Sequence, residues 1–342
     1  MLELFLHPGP GKTGSSSIQN AMMHQESGLL EDGILIPKTY RSVSGDFHQF
    51  SELIKSASSE NKKSSDLLQA AVESISQEAE NSGAKKIVIS SDFLTNLSSK
   101  ETSLINNLFI SNKIKVKIVI YKRNLYKLAV STLQQQIQNG KHINSFYAYR
   151  PFTYFNMMKA YSDAFGHENI IVRDYLFDED RSWSVVSDFY TEVLKTSVNS
   201  EGSAWINKSL GADALQLMNY FNYFFSYPTP LGHAKIAEAL RWSILNIENI
   251  GKRKPTLSKE EISAIAEIFA YDEEQFNNFM PDVSPYQEGR ISEIPASVLG
   301  ASFNESICKS PSRESLDTLF ATLGSYMSND DLISQLDRNA PA

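Results

Sequence analysis

Residues 2–19 constrain the fold more than any other stretch of this chain. An apolar run, 2–6, reads as a strand. It enters a Gly/Pro loop, His7-Pro8-Gly9-Pro10-Gly11-Lys12-Thr13-Gly14, and three serines, Ser15, Ser16 and Ser17, precede the helical start at Ile18. Strand, tight loop and helix N-terminus in that order build an anion site from backbone N–H groups, the positive end of a helix dipole and one lysine. Glycines at 9, 11 and 14 let the backbone close on a ligand. A phosphate or sulfate ester is the expected occupant.

Apolar strand candidates alternate with helical patterns over the first half of the chain. The strands fall at 2–6, 34–36, 86–90, 116–121 and 169–173. The helices fall at 15–26, 47–57, 64–81, 101–109, 124–138 and 152–164. This alternation predicts βαβ units and an α/β fold with a parallel sheet. Ligands of such sheets bind beyond the carboxyl ends of the strands. The loop at 8–14 and Arg123, which follows the fourth strand, both fall on that rim.

Beyond residue 205 the pattern is mostly helical. Ile236, Leu240, Ile244 and Ile247 repeat at helical spacing, and Ser258 with Glu261 forms a capping box. The aromatic turn at 221–230 reads first as core packing and second as a sugar-stacking surface. From 296 the chain is Ser-rich and polar, with one more helical stretch at 313–336. The expected organisation is an α/β core over 1–205, a helical portion over 206–295 and a C-terminal appendage over 296–342.

At 42% apolar and 21% charged residues, the composition is that of an ordinary globular protein. No apolar run has transmembrane length, and no signal peptide is recognisable. One cysteine, Cys308, leaves no internal disulfide and suits a reducing cytoplasm. Six scattered histidines show no metal-ligand spacing, so no metal is expected. A net charge of −8 argues against nucleic acid as a partner. The oligomeric state is open.

Gly11-Lys12-Thr13 matches the end of the nucleotide P-loop pattern G-x-x-x-x-G-K-[ST], but its first glycine would fall on Leu6. Gly14 and three serines continue the loop past the lysine. The run Lys12-Thr13-Gly14-Ser15-Ser16-Ser17-Ile18-Gln19 instead resembles the 5′-phosphosulfate loop of sulfotransferases. Those enzymes use 3′-phosphoadenosine 5′-phosphosulfate (PAPS) and release the bisphosphate PAP. A second match is the strand 116–120 ending in Lys122-Arg123, with Ser131 eight residues after Arg123. The family sets an arginine and a serine at this spacing on the donor's 3′-phosphate. Segments around His48, Asp92 and 205–222 are similar to a bacterial, carbohydrate-acting branch, with Asp92 where glutamate is usual.

The resemblance implies a P-loop NTPase-like parallel sheet flanked by helices. It also implies transfer of a sulfuryl group to a hydroxyl of a sugar, glycolipid or polysaccharide precursor. Gly11, Lys12, Thr13, Gly14, Ser15, Ser16 and Ser17 would hold the 5′ end of the donor, with Lys12 following the charge on the leaving oxygen. Arg123 and Ser131 would hold the 3′-phosphate. Lys208, with Asn207 and Ser209, would close over the donor, and Trp205 would lie near the adenine. The general base is His48 or Asp92. Two other readings stay open, a P-loop kinase using ATP and magnesium and a non-catalytic module that binds a bisphosphate or sulfated glycan.

Overall fold

The computed structural model describes residues 2–59, 61–149, 152–176, 183–196, 210–224, 244, 253–280, 291–314, 316, 317 and 321. The chain divides into two compact units. The first comprises 1–124, 152–206 and 271–291. The second comprises 125–151, 207–270 and 292–342.

In the first unit the order begins β1 (Leu2–Pro8), α1 (Ser15–His24), α2 (Glu26–Glu31), β2 (Ile34–Leu35), α3 (His48–Ser58), α4 (Lys62–Ser82) and β3 (Lys86–Ser91). It continues with a 3₁₀ turn (Asp92–Asn96), α5 (Ser99–Ser111) and β4 (Ile114–Lys122). The next helix, α6 (Leu125–Gln138), belongs to the second unit. The first unit resumes with α7 (Tyr154–Phe165), β5 (Ile170–Asp174), and α8 (Val185–Asp188), which runs on as a π turn to Leu194.

The five strands form one parallel sheet in the order β2-β3-β1-β4-β5. Its strands are apolar through their centres because helices cover both faces, while Glu3 of β1 and Lys115 and Lys117 of β4 lie where the sheet is less covered. Leu4, Leu6, Ile87, Val88, Ile89, Ile118, Val119 and Ile120 are all sealed from solvent. Strand β2 is shorter than its apolar run predicts. It sits at the sheet edge, and Pro37, just past the run, has no N–H for a ladder. The helix expected over 15–26 stops at His24, where Gln25 leaves the helical region with φ −108° and ψ 16°.

Strand order fixes where a ligand goes. From β1 the chain crosses to β2 on one side, and from β4 it continues to β5 on the other. Neighbours whose connections diverge leave a crevice at their carboxyl ends. That crevice lies between the loop after β1 and the residues after β4. Right-handed crossovers then place α1 on one face and α3, α4, α5 and α7 on the other. The packing agrees: α1 meets α8, while α3 meets α4 and α5, and α5 meets α7.

The second unit holds α6, α9 (Ala212–Phe224), the first part of α10 (Lys259–Phe279) and a π turn (Asn304–Cys308). Buried amides lock α9 in place. Asn219 accepts from Ile143 N at 2.7 Å and donates to the carbonyls of Ile143 and Ile307. Asn222 donates to Ile137 O at 2.7 Å. The capping box at α10 forms as its sequence predicts, with Glu261 N on Ser258 Oγ and Ser258 N on Glu261 Oε2. Glu261 also accepts from the N–H groups of Phe303 and Asn304, so one buried carboxylate ties the start of α10 to the segment at 303–304.

No helix among the described residues is long and apolar enough to cross a membrane. Most of 225–252 and most of the predicted helix 313–336 lie outside the described residues.

Candidate anion site on the carboxyl rim of the sheet

The loop after β1 is a nest of unused donors. Thr13 N–H turns back onto Pro10 O at 3.2 Å, and Thr13 Oγ1 donates to the same carbonyl at 2.6 Å. The N–H groups of Gly11, Lys12, Gly14, Ser15 and Ser16 find no acceptor among the described residues. Lys12 and Gly14 both adopt positive φ, 71° and 84°. Alternating backbone hands of this kind gather successive N–H groups into an anion-binding concavity. Gly14 is also the N-cap of α1, so the helix dipole adds to the nest.

Close packing fixes the loop's shape. A Cβ on Gly9 would stand 2.6 Å from Ser15 Cβ, 3.1 Å from Asp92 Oδ1 and 3.3 Å from His7 Cε1. Beneath it, His7 is fully buried at the end of β1. Its Nδ1 meets Ser90 Oγ at 2.9 Å, and Gln19 Nε2 donates to the same hydroxyl at 3.2 Å. Burial pushes the His7 pKa down to about 3.

Two cations meet across the crevice. Arg123, just past β4, donates from Nη1 to the Lys12 carbonyl at 2.7 Å. Its guanidinium lies over the Tyr175 ring, 5.2 Å from the centroid, and its backbone N–H donates to Tyr154 Oη at 2.9 Å. Burial pushes the Lys12 pKa down, and the Arg123 charge pushes it further. Burial also lowers Arg123, against the pull of Tyr175 and Tyr154. An arginine nevertheless stays charged. Desolvated like charges beside unused N–H donors are relieved by a bound anion.

A carboxylate and a histidine lie on the β3 side. Asp92, first residue after β3, packs its Oδ1 beside Gly9, against which Ser15 Cβ at the start of α1 also packs. One edge of Asp92 faces solvent, yet its carboxyl is crowded by the loop. That desolvation raises its pKa, the nearby Ser15 hydroxyl lowers it, and the Asp46 charge raises it further. His48 opens α3, its ring 6.0 Å from that of Phe93. His48 Nδ1 lies 2.7 Å from Asp46 Oδ1.

Sequence reasoning misses Asp46. Its carboxylate takes the hydroxyls of Ser42 and Ser44 on Oδ2 and the His48 N–H and ring on Oδ1. Burial raises its pKa, but those bonds outweigh it and hold the carboxyl below the usual carboxylate value. An ionised carboxylate only accepts, so the His48 proton sits on Nδ1 and Nε2 is left as the ring's acceptor atom. The D-x-H spacing before a helix was the available signal. Tyr175 and Val185, which wall Gly14, are also missed.

The structure thus brings Lys12, Thr13, Gly14, Ser15, Asp92 and Arg123 together on one rim, with His48 beside Asp92 through Phe93 and Asp46. Gly11, Ser16 and Ser17 complete the loop and the first turn of α1. Ser131 is half-buried on α6 in the second unit. Trp205, Asn207, Lys208 and Ser209 lie outside the described residues. Comparison of the chain with family models, with curated proteins and with solved structures finds no match.

Proposed function

We propose that the first unit binds PAPS and transfers its sulfuryl group to a hydroxyl of a carbohydrate, glycolipid or polysaccharide precursor. The observation that carries this reading is the unused N–H nest at 11–16, set between Lys12 and Arg123. It suits the 5′-phosphosulfate of the donor, and the fork of Arg123 suits its second phosphate. The wider reading includes a P-loop NTPase-like, sulfotransferase-type fold, Ser131 on the 3′-phosphate and Lys208 closing over the donor.

In-line sulfuryl transfer resembles phosphoryl transfer, with charge spread over a loose transition state. His48 Nε2 or Asp92 takes the acceptor hydroxyl's proton. The new O–S bond forms as the bond to the bridging oxygen breaks. The N–H donors and the Lys12 ammonium meet the charge that appears on the leaving phosphate.

One observation favours a second reading. Asp92 at the end of β3 and Ser15 at the start of α1 both pack against Gly9, which sets a carboxylate near a hydroxyl as a magnesium site in an ATP-dependent kinase would. Thermal stabilisation separates the two. PAP at about one hundred times its Kd should add about 2.7 kcal/mol of stability, and ATP–magnesium should add none. Stabilisation by ATP–magnesium alone would replace the sulfotransferase with the kinase. Lys12→Ala then separates an enzyme from a binding module. An enzyme loses turnover well beyond its loss of PAP affinity, whereas a module loses affinity only.

A further inference from the structure

We infer that Phe93 and His48 form the acceptor platform, and that the acceptor is an uncharged or amine-bearing sugar rather than a polyanionic one. This deepens the sulfotransferase reading and rests on it.

Phe93 is a large apolar side chain left 48% exposed. It follows Asp92, whose Oδ1 packs against Gly9 of the anion loop, so its position is fixed relative to the donor nest. The His48 ring stands 6.0 Å away, inclined by 48°. Asp46 occupies His48 Nδ1, and the His48 ring is 37% exposed, leaving Nε2 as the ring's acceptor atom. A sugar ring lying with its C–H face on Phe93 can present one hydroxyl to that nitrogen. Aromatic faces favour such C–H donors because their quadrupole is negative at the face.

Charge decides the class of sugar. Two carboxylates belong to the same elements as the platform: Asp46 Oδ1 stands 2.7 Å from His48 Nδ1, and Asp92 immediately precedes Phe93. The cations of the site are Arg123, bonded to the Lys12 carbonyl, and Lys12 itself, and both are met by the donor's own anionic groups. With donor bound, an acceptor carboxylate or sulfate would face two carboxylates, whereas a neutral pyranoside or an ammonium would not.

Saturation-transfer NMR with three methyl glycosides (glucoside, glucosaminide and glucuronoside) tests this on the free and the PAP-loaded protein. The glucoside and glucosaminide are expected to bind the PAP-loaded form. The glucuronoside should bind roughly fivefold or more weakly, the scale of one or two screened charge pairs. Phe93→Ala should weaken the neutral sugar on the order of threefold to tenfold, and Phe93→Tyr should restore it. Equal or tighter binding of the glucuronoside, no effect of Phe93→Ala, or no binding of any of the three overturns the inference. PAP-induced stabilisation is read in the same samples. Its loss counts against the donor reading, while the free-protein sugar arms still judge the platform.

Discussion

Arg123 reaches from the end of β4 to the Lys12 carbonyl at the tip of the β1 loop, 2.7 Å away, and so spans the crevice where the sheet's connections diverge. The bond orients the guanidinium and also holds the loop's backbone, so one residue both shapes the nest and charges it. Arg123→Ala should weaken PAP by roughly tenfold to a hundredfold, the scale of a lost charge-assisted hydrogen bond. Arg123→Lys should recover little, because a point charge lacks the fork and cannot stack on Tyr175. Isothermal titration at fixed salt measures both. An unchanged Kd in Arg123→Ala would remove Arg123 from the site.

Gly14 combines φ of 84° with two walls. A Cβ there would stand 2.7 Å from Val185 Cγ1 and 2.9 Å from Tyr175 Cε2. Gly14→Ala therefore suffers both an unfavourable backbone conformation and overpacking. About 2–4 kcal/mol of stability should be lost, together with PAP affinity, because Tyr175 cannot yield without disturbing Arg123. Val185→Ala in the same chain relieves one wall and should return part of the stability. Urea melts of the single and double variants decide it, and a Gly14→Ala protein as stable as the parent would mean the loop is not held as described.

The strand–loop–helix core was legible because its signals are local. The buried centre of each strand is apolar, and the positive φ at position 14 calls for glycine in its own right. The residues that finish the site come from far along the chain. Tyr175 and Val185 reach Gly14 from beyond β5, and Asp272 caps α7 through Tyr154 N and Phe155 N from 118 and 117 residues away. No periodicity encodes such meetings. Asp46 is a different case. Its partners are all local, but its importance appears only when its four hydrogen bonds are counted together.

Asp46→Asn tests the orientation of His48 without touching the nest. An amide cannot accept four donors, so the His48 proton is no longer confined to Nδ1. Ring ¹⁵N shifts should show the Nδ1–H tautomer in the parent and a mixture in the variant. Stability should fall by about 1–2 kcal/mol, the scale of weakened bonds to a partly exposed charge. PAP affinity should stay within about twofold, since no bond from Asp46 reaches the loop after β1. A parent ring already protonated on Nε2 would contradict the assignment.

His7 makes the rim sensitive to acid. Its folded pKa of about 3 lies below the ordinary 6.5. Above pH 6.5 the ring is neutral in both states and contributes no pH dependence. Below that, the unfolded chain takes up a proton that the folded chain refuses. Stability therefore falls with pH by about 1.4 kcal/mol per unit until roughly pH 3. His7→Asn keeps an acceptor for Ser90 and removes the titrating ring. Between pH 6.5 and 5, the parent should lose about 1.6 kcal/mol more than the variant in urea melts. Equal slopes would mean that His7 is solvated in the folded state. In that case the floor beneath Gly9 is open, and the loop's geometry owes nothing to the Gln19–Ser90–His7 chain.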